Sequence, residues 1–162
     1  MKNALFVIVI LIAMTTKAQV TKVYFQASGL TCSMCSNAIN KALKSLDFVD
    51  KVTASFKDYS FDVSFKTTEN IDFDKMRKKV EDAGFFVSAF FATINFNNRQ
   101  IKSGEPVKAG ANTLLFVNNN DIVLNGEIKV KVLDRGFVSS KEYKNNSISH
   151  SLTGKGTYHV SL

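Results

Sequence analysis

Across residues 20–94 the spacing of apolar residues switches between a period of two and a helical period. Val23, Phe25 and Ala27 alternate with Tyr24, Gln26 and Ser28, the pattern of a strand with one buried face. From Ser33 onward, Ala38, Ile39, Ala42, Leu43 and Leu46 recur at helical spacing, with Lys41, Lys44 and Ser45 on the other side. Val52, Ala54 and Phe56 return to alternation, and Lys57-Asp58-Tyr59 reads as a hairpin turn. Phe61, Val63 and Phe65 then form a second half-buried strand. A second helical stripe follows at Phe73, Met76, Val80 and Ala83, with Asp72 as N-cap and Gly84 at the C-terminal end. Residues 85–94 are apolar on both alternating sets, which predicts a strand buried on both faces.

The order strand, helix, strand, strand, helix, strand predicts an α+β domain of the ferredoxin-like βαββαβ type, an antiparallel sheet with two helices on one face. Residues 95–162 have another character, rich in Asn, Gly and Lys. Strand patterns occur at Thr113–Val117, Ile128–Leu133 and Thr157–Leu162, and Ser139–Tyr143 reads as the start of a short helix. Asn118-Asn119-Asn120-Asp121 and Asn125-Gly126 are turn chemistry, and residues 144–156 read as a polar loop. The expectation is a small β-rich domain, in the form of a partly open barrel. The two-sided apolar strand ending at Ile94 predicts that this unit packs on the open face of the first sheet.

The first residues set the expected compartment. A short basic start, Met1-Lys2-Asn3, leads into an apolar run from Ala4 to Met14, short for a bilayer span. Thr16 and Ala18 place small residues where a signal peptidase reads, so residues 1–18 are expected to be a cleaved signal peptide; the alternative is an uncleaved anchor. The expected divisions are 1–18, 19–94 and 95–162. The exported remainder, periplasmic or secreted, has no second run long enough to insert in a membrane. Losing Lys2 and Lys17 lowers the formal charge from +7 to +5. Most of that surplus lies after Asn95, a solvated surface or a docking face for an acidic partner. With no basic run longer than Arg77-Lys78-Lys79, nucleic acid is not the expected partner.

Both cysteines of the chain, Cys32 and Cys35, sit where the first strand pattern gives way to the first helix pattern. A Cys-x-x-Cys at a helix start places two thiols on one turn, and the helix N-terminus favours thiolate, the form that binds soft metals. Two thiolates suit Cu(I), and equally Hg(II); Zn(II) ordinarily takes four ligands, so two sulfurs alone leave its site incomplete. A disulfide between them would close a very small loop and stabilise the fold little, which favours a metal or redox role over a structural staple. Gly29 permits a sharp turn ahead of the pair.

Three segments together, Gly29-Leu30-Thr31-Cys32-Ser33-Met34-Cys35, Ala38-Ile39-Asn40-Lys41-Ala42-Leu43 and Val80-Glu81-Asp82-Ala83-Gly84-Phe85, resemble the heavy-metal-associated domain. That family includes cytosolic copper chaperones, the N-terminal domains of copper-transporting ATPases, and the exported mercury-binding protein of bacterial resistance systems. The resemblance covers about residues 20–94 and does not reach 95–162. It implies that Cys32 and Cys35 are the metal ligands, that Thr31 shapes their loop, and that Phe85 lies near the loop and shields it. Leu30 stands where the family has Met, a buried packing position. Where cytosolic members place Lys or Tyr near the metal, this chain has Phe85 and Phe86.

The expected function is a soft-metal carrier that takes Cu(I) on Cys32 and Cys35 and passes it by ligand exchange to a metal-transporting or metal-accepting protein. Binding of Hg(II) for detoxification and thiol–disulfide exchange are the alternatives. Against exchange, the chain's one proline, Pro106, lies outside the first domain. Met34, Met76, His150 and His159 are the other soft or imidazole donors after the leader; packing or hydrogen-bonding roles are expected for them. No Ser/His/Asp grouping of familiar spacing, His-Glu-x-x-His or glycine-rich phosphate loop appears, so catalysis is not expected.

Overall fold

The structure, a computed structural model, describes residues 18–30, 33–68, 70–102, 104–117, 121–146 and 154–162. Residues 1–17, expected as a leader, Thr31, Cys32, residues 118–120, expected as part of a turn, and His150 lie outside the described residues, as do the side chains of Ser33 and Met34. The first half runs β1 (Gln19–Ser28), α1 (Ser33–Lys44), β2 (Val49–Ser55), β3 (Ser60–Phe65), α2 (Phe73–Asp82) and β4 (Phe86–Ile101). β1 lies between β3 and β4, antiparallel to both, and β2 pairs with the far side of β3. This is the ferredoxin-like sheet.

The inward set of each strand, including Val23, Phe25, Phe61, Val63 and Phe90, is buried together with Ile39 and Leu43 of α1 and Phe73, Met76 and Val80 of α2. Phe25 stacks on Phe61, with ring centroids 5.0 Å apart. Asp72 caps α2, its carboxylate accepting the Lys75 N–H at 2.9 Å. The other end closes with Gly84 at φ 88°, a left-handed value that glycine adopts without strain. There the Gly84 N–H donates to the Glu81 carbonyl and the Phe85 N–H to the Val80 carbonyl, a Schellman ending.

The second half contributes β5 (Pro106–Ala109), β6 (Asn112–Phe116), β7 (Ile122–Val132), α3 (Ser140–Asn145) and β8 (Thr157–Ser161). Two expectations are corrected here. β4 runs past Ile94 to Ile101, and the second half joins the first sheet edge to edge instead of packing on its open face. β7 pairs with β4 along nearly its whole length, giving one eight-stranded sheet in the order β2-β3-β1-β4-β7-β8-β6-β5. The physical reason is that β4, left alone, would end the sheet with a row of unpaired backbone groups. β7 takes those bonds. The outer set of β4 is half-buried rather than fully buried: Lys129 and Lys131 of β7 lie over the Phe91 ring.

Asn125-Gly126, expected as a turn, lies inside β7 instead, with Gly126 opposite Phe96. Asn98 (φ 45°) marks a bulge there, and its N–H donates to Asn125 Oδ1 at 3.3 Å. The sheet curls round so that Phe116 of β6 meets Phe96 of β4, and Ala109 at the end of β5 bridges Ala18 just before β1.

The curled strands reach α2. Tyr158 of β8 donates its hydroxyl to Asp74 Oδ2 (3.0 Å), and its ring lies 5.2 Å from that of Phe73. Phe137 packs edge-on to both Phe90 and Tyr158, under the Arg77 guanidinium. The Asn112 amide donates to the Ile71 carbonyl at 2.7 Å just before α2.

Candidate metal site

The loop that carries the cysteines leaves the sheet at the end of β1. Gly29 has φ 86°, a value other residues adopt only with strain, and turns the chain from β1 toward α1. Leu30 is buried (8% exposed), which is the packing position the resemblance implied for it. α1 starts at Ser33, so Cys35 sits in its first turn. That turn carries no acidic residue, while Lys41 and Lys44 occupy the last turn, so the partial positive charge of the N-terminus is not offset locally.

Cys35 is half-buried and packs against the core, on the helical face that continues through Ile39. Cys32, the other expected ligand, lies outside the described residues, so the structure describes one sulfur of the pair.

The surroundings of the loop come from three other segments. Phe85, directly after the α2 ending, places its ring edge 3.9 Å from where a Cβ on Gly29 would sit. It therefore lies beside the base of the cysteine loop. On one flank, the Ala27 N–H donates to the Tyr59 carbonyl at 3.0 Å, which brings the β2–β3 turn against the end of β1. On the other flank Phe86 is paired with Ser28. Phe56, Tyr59 and Phe86 are 60%, 44% and 65% exposed, so this end of the sheet carries an apolar rim. Within the β2–β3 turn, hydroxyls of Ser55 and Ser60, with that of Tyr24, hold the Asp58 carboxyl below the usual carboxylate range.

The other donors weighed from sequence take structural places. Met76 is buried in the α2 stripe. His159 is buried in β8; its N–H donates to Asp134 Oδ2 at 2.6 Å, and its Nδ1 lies 2.9 Å from Asp134 Oδ1. Among the described residues no three His, Cys, Asp or Glu side chains come together as a metal-holding group. A shallow groove of about 230 Å³, lined by Lys22, Lys51, Thr53, Asp62, Val63 and Ser64, lies toward the other end of β1. No helix among the described residues is long and apolar enough to cross a membrane. Sequence reasoning did not find the Asp134–His159 pair; in sequence it is only an isolated Asp and an isolated His, 25 residues apart.

Residues 24–86 match the profile of the heavy-metal-associated domain, and this segment is a heavy-metal-associated domain. The chain is 28% identical over 82 residues to a probable copper-transporting ATPase, HMA5, of Arabidopsis thaliana. That match takes in 51% of this chain and 8% of the ATPase, so the chain spans a small part of that relative's length. Among solved structures, the CopZ metallochaperone is similar over 41% of this chain and 98% of its own, at 21% identity and a TM-score of 0.39. The yeast copper transporter domain Ccc2a, studied in apo and Cu(I)-loaded states, is similar over 40% of this chain and 88% of its own, at 31% identity and a TM-score of 0.37.

Proposed function

We propose that the protein is an exported carrier of a soft metal ion, with Cu(I) as its cargo. It is not an enzyme in this reading. Cys32 and Cys35 hold the ion as a pair of thiolates and release it to a metal-transporting or metal-accepting protein by ligand exchange. The observation that carries the reading is the position of Cys35, in the first turn of α1 behind Gly29, on a heavy-metal-associated domain. The copper named for the matched ATPase supports Cu(I) over Hg(II) as the cargo. Exchange needs an incoming donor to reach the ion before a cysteine leaves, and a loop at the rim of the sheet allows that approach. The exposed Phe56, Tyr59 and Phe86 beside it suit a surface that meets an acceptor protein briefly. Export rests on residues 1–18, read as a leader cleaved after Ala18.

The test is titration of the fully reduced protein with Cu(I) against a competing chelator, for the native chain and for the Cys32→Ser/Cys35→Ser double variant. One tightly held equivalent in the native chain, absent from a folded double variant, is the expected result. Equal binding in both would move the ion away from the cysteines. Weak binding in both would leave thiol–disulfide exchange as the role of the pair.

A further inference from the structure

The start of β1 raises a chemical question about leader removal. Ala18 is 5% exposed and bridges in parallel to Ala109, itself buried. Val20 on the other side is fully buried. Gln19 between them pairs with Asn95 of β4 and is exposed. Cleavage after Ala18 removes the bridge to Ala109 and turns the Gln19 amide nitrogen into an ammonium group. That charge would stand at the start of β1, opposite Asn95 within β4 and next to the end of β5 at Ala109.

We infer that the mature N-terminus is a pyroglutamate formed from Gln19. This rests on the leader reading given above. The Gln19 α-amino nitrogen attacks the Cδ carbonyl of its own side chain, and a new N–Cδ bond closes the lactam ring. The Cδ–Nε2 bond breaks, and the side-chain nitrogen leaves as ammonia, taking up a proton given by the attacking nitrogen. No oxidant, reductant or second substrate enters. The product nitrogen is again an uncharged amide, as it was in the peptide bond to Ala18. The exposed side chain of Gln19 is placed to fold back onto its own nitrogen, whereas a buried one would have to leave the core first.

The experiment is to express the full chain with its own leader in a secreting bacterial host and to take the exported protein after incubation at neutral pH. Its intact mass and its N-terminal sequence are read before and after treatment with pyroglutamyl aminopeptidase, with Gln19→Ala alongside. The expected mass is that of a chain beginning at Gln19 less one ammonia. Sequencing should be blocked until the aminopeptidase opens it to read from Val20, and Gln19→Ala should read openly at full mass. A chain that begins at Gln19 with a free amine overturns the cyclisation and leaves export standing. A chain that keeps its leader, or begins elsewhere, overturns the leader reading and the cyclisation with it.

Discussion

Tyr158, in the last strand, donates its hydroxyl to Asp74 in the first turn of α2 across 84 residues of sequence. The contact ties the end of the chain to the helix whose far end delivers Phe85 to the cysteine loop. Tyr158→Phe keeps the ring against Phe73 and Phe137 and removes only the hydrogen bond. A bond to a partly exposed carboxylate of this kind is worth about 1–2 kcal/mol. Burial, and then the charge of Asp74, push the Tyr158 hydroxyl far above its ordinary value of 10.0. A raised folded-state value stabilises fully below the unfolded value and loses that contribution as pH rises above it. Native stability should therefore fall above about pH 10, and part of that fall should be missing in Tyr158→Phe. Urea unfolding of both proteins at neutral and alkaline pH measures this; parallel pH curves would remove Tyr158 as the cause.

A fragment ending at Ile94 keeps every element of the ferredoxin-like fold except the end of β4, yet it should be markedly less stable than the full chain. It loses β7 along the edge of β4 and the cover that Phe137 and Tyr158 give to Phe73 and Phe90. The bare edge is a template for pairing with a second copy. Sedimentation and thermal unfolding should show self-association and a lower Tm. A monomeric fragment as stable as the whole would mean that the second half is only appended.

Lys129 is expected to act through its position rather than through an ion pair. Its Nζ lies 4.4 Å from the Tyr24 ring centroid and 4.6 Å from that of Phe91, bracketed by two aromatic faces on the outer side of the sheet. Lys129→Ala should cost about 0.5–1 kcal/mol, and Lys129→Arg should keep most of that because its cation can occupy the same place. Equal loss in both variants, measured by urea unfolding, would show that packing of the lysine stem carries the effect.

The elements of residues 20–94 were legible because period and capping agreed at each step. The inward set of β1, the stripe of α2, the Asp72 cap and the Gly84 ending all report the same local structure from different physics. The continuation of β4 past Ile94 was not legible. Asn97, Asn98, Asn125 and Gly126 carry the chemistry of turns, and local pattern cannot reveal that one extra residue bulged out of β4 lets the ladder with β7 continue past them. β5 was missed because it is only four residues long, opening on Pro106 and followed at once by Gly110. Around the cysteines, Gly29 and the helix start were legible from local patterning. The approach of Tyr59 depends on pairing across strands, which no local pattern encodes.

Gly29→Ala separates backbone conformation from packing at the base of the cysteine loop. A Cβ there would meet the Phe85 ring edge at 3.9 Å, an ordinary contact, so space is available. The backbone at φ 86° is the obstacle, because an L residue with a Cβ is strained there. Two responses are open to the chain. If the loop keeps its shape, the folded state loses about 1–2 kcal/mol and the metal affinity of the reduced protein stays as it was. If the loop relaxes to a negative φ, stability is largely recovered, but the start of α1 shifts relative to β1 and metal affinity falls. The first response is expected, since Leu30 is buried on one side of the turn and Cys35 packs against the core on the other. Unfolding and Cu(I) competition on one preparation distinguish the two. A variant as stable as the native chain that binds metal equally well would show that Gly29 is not needed for the turn.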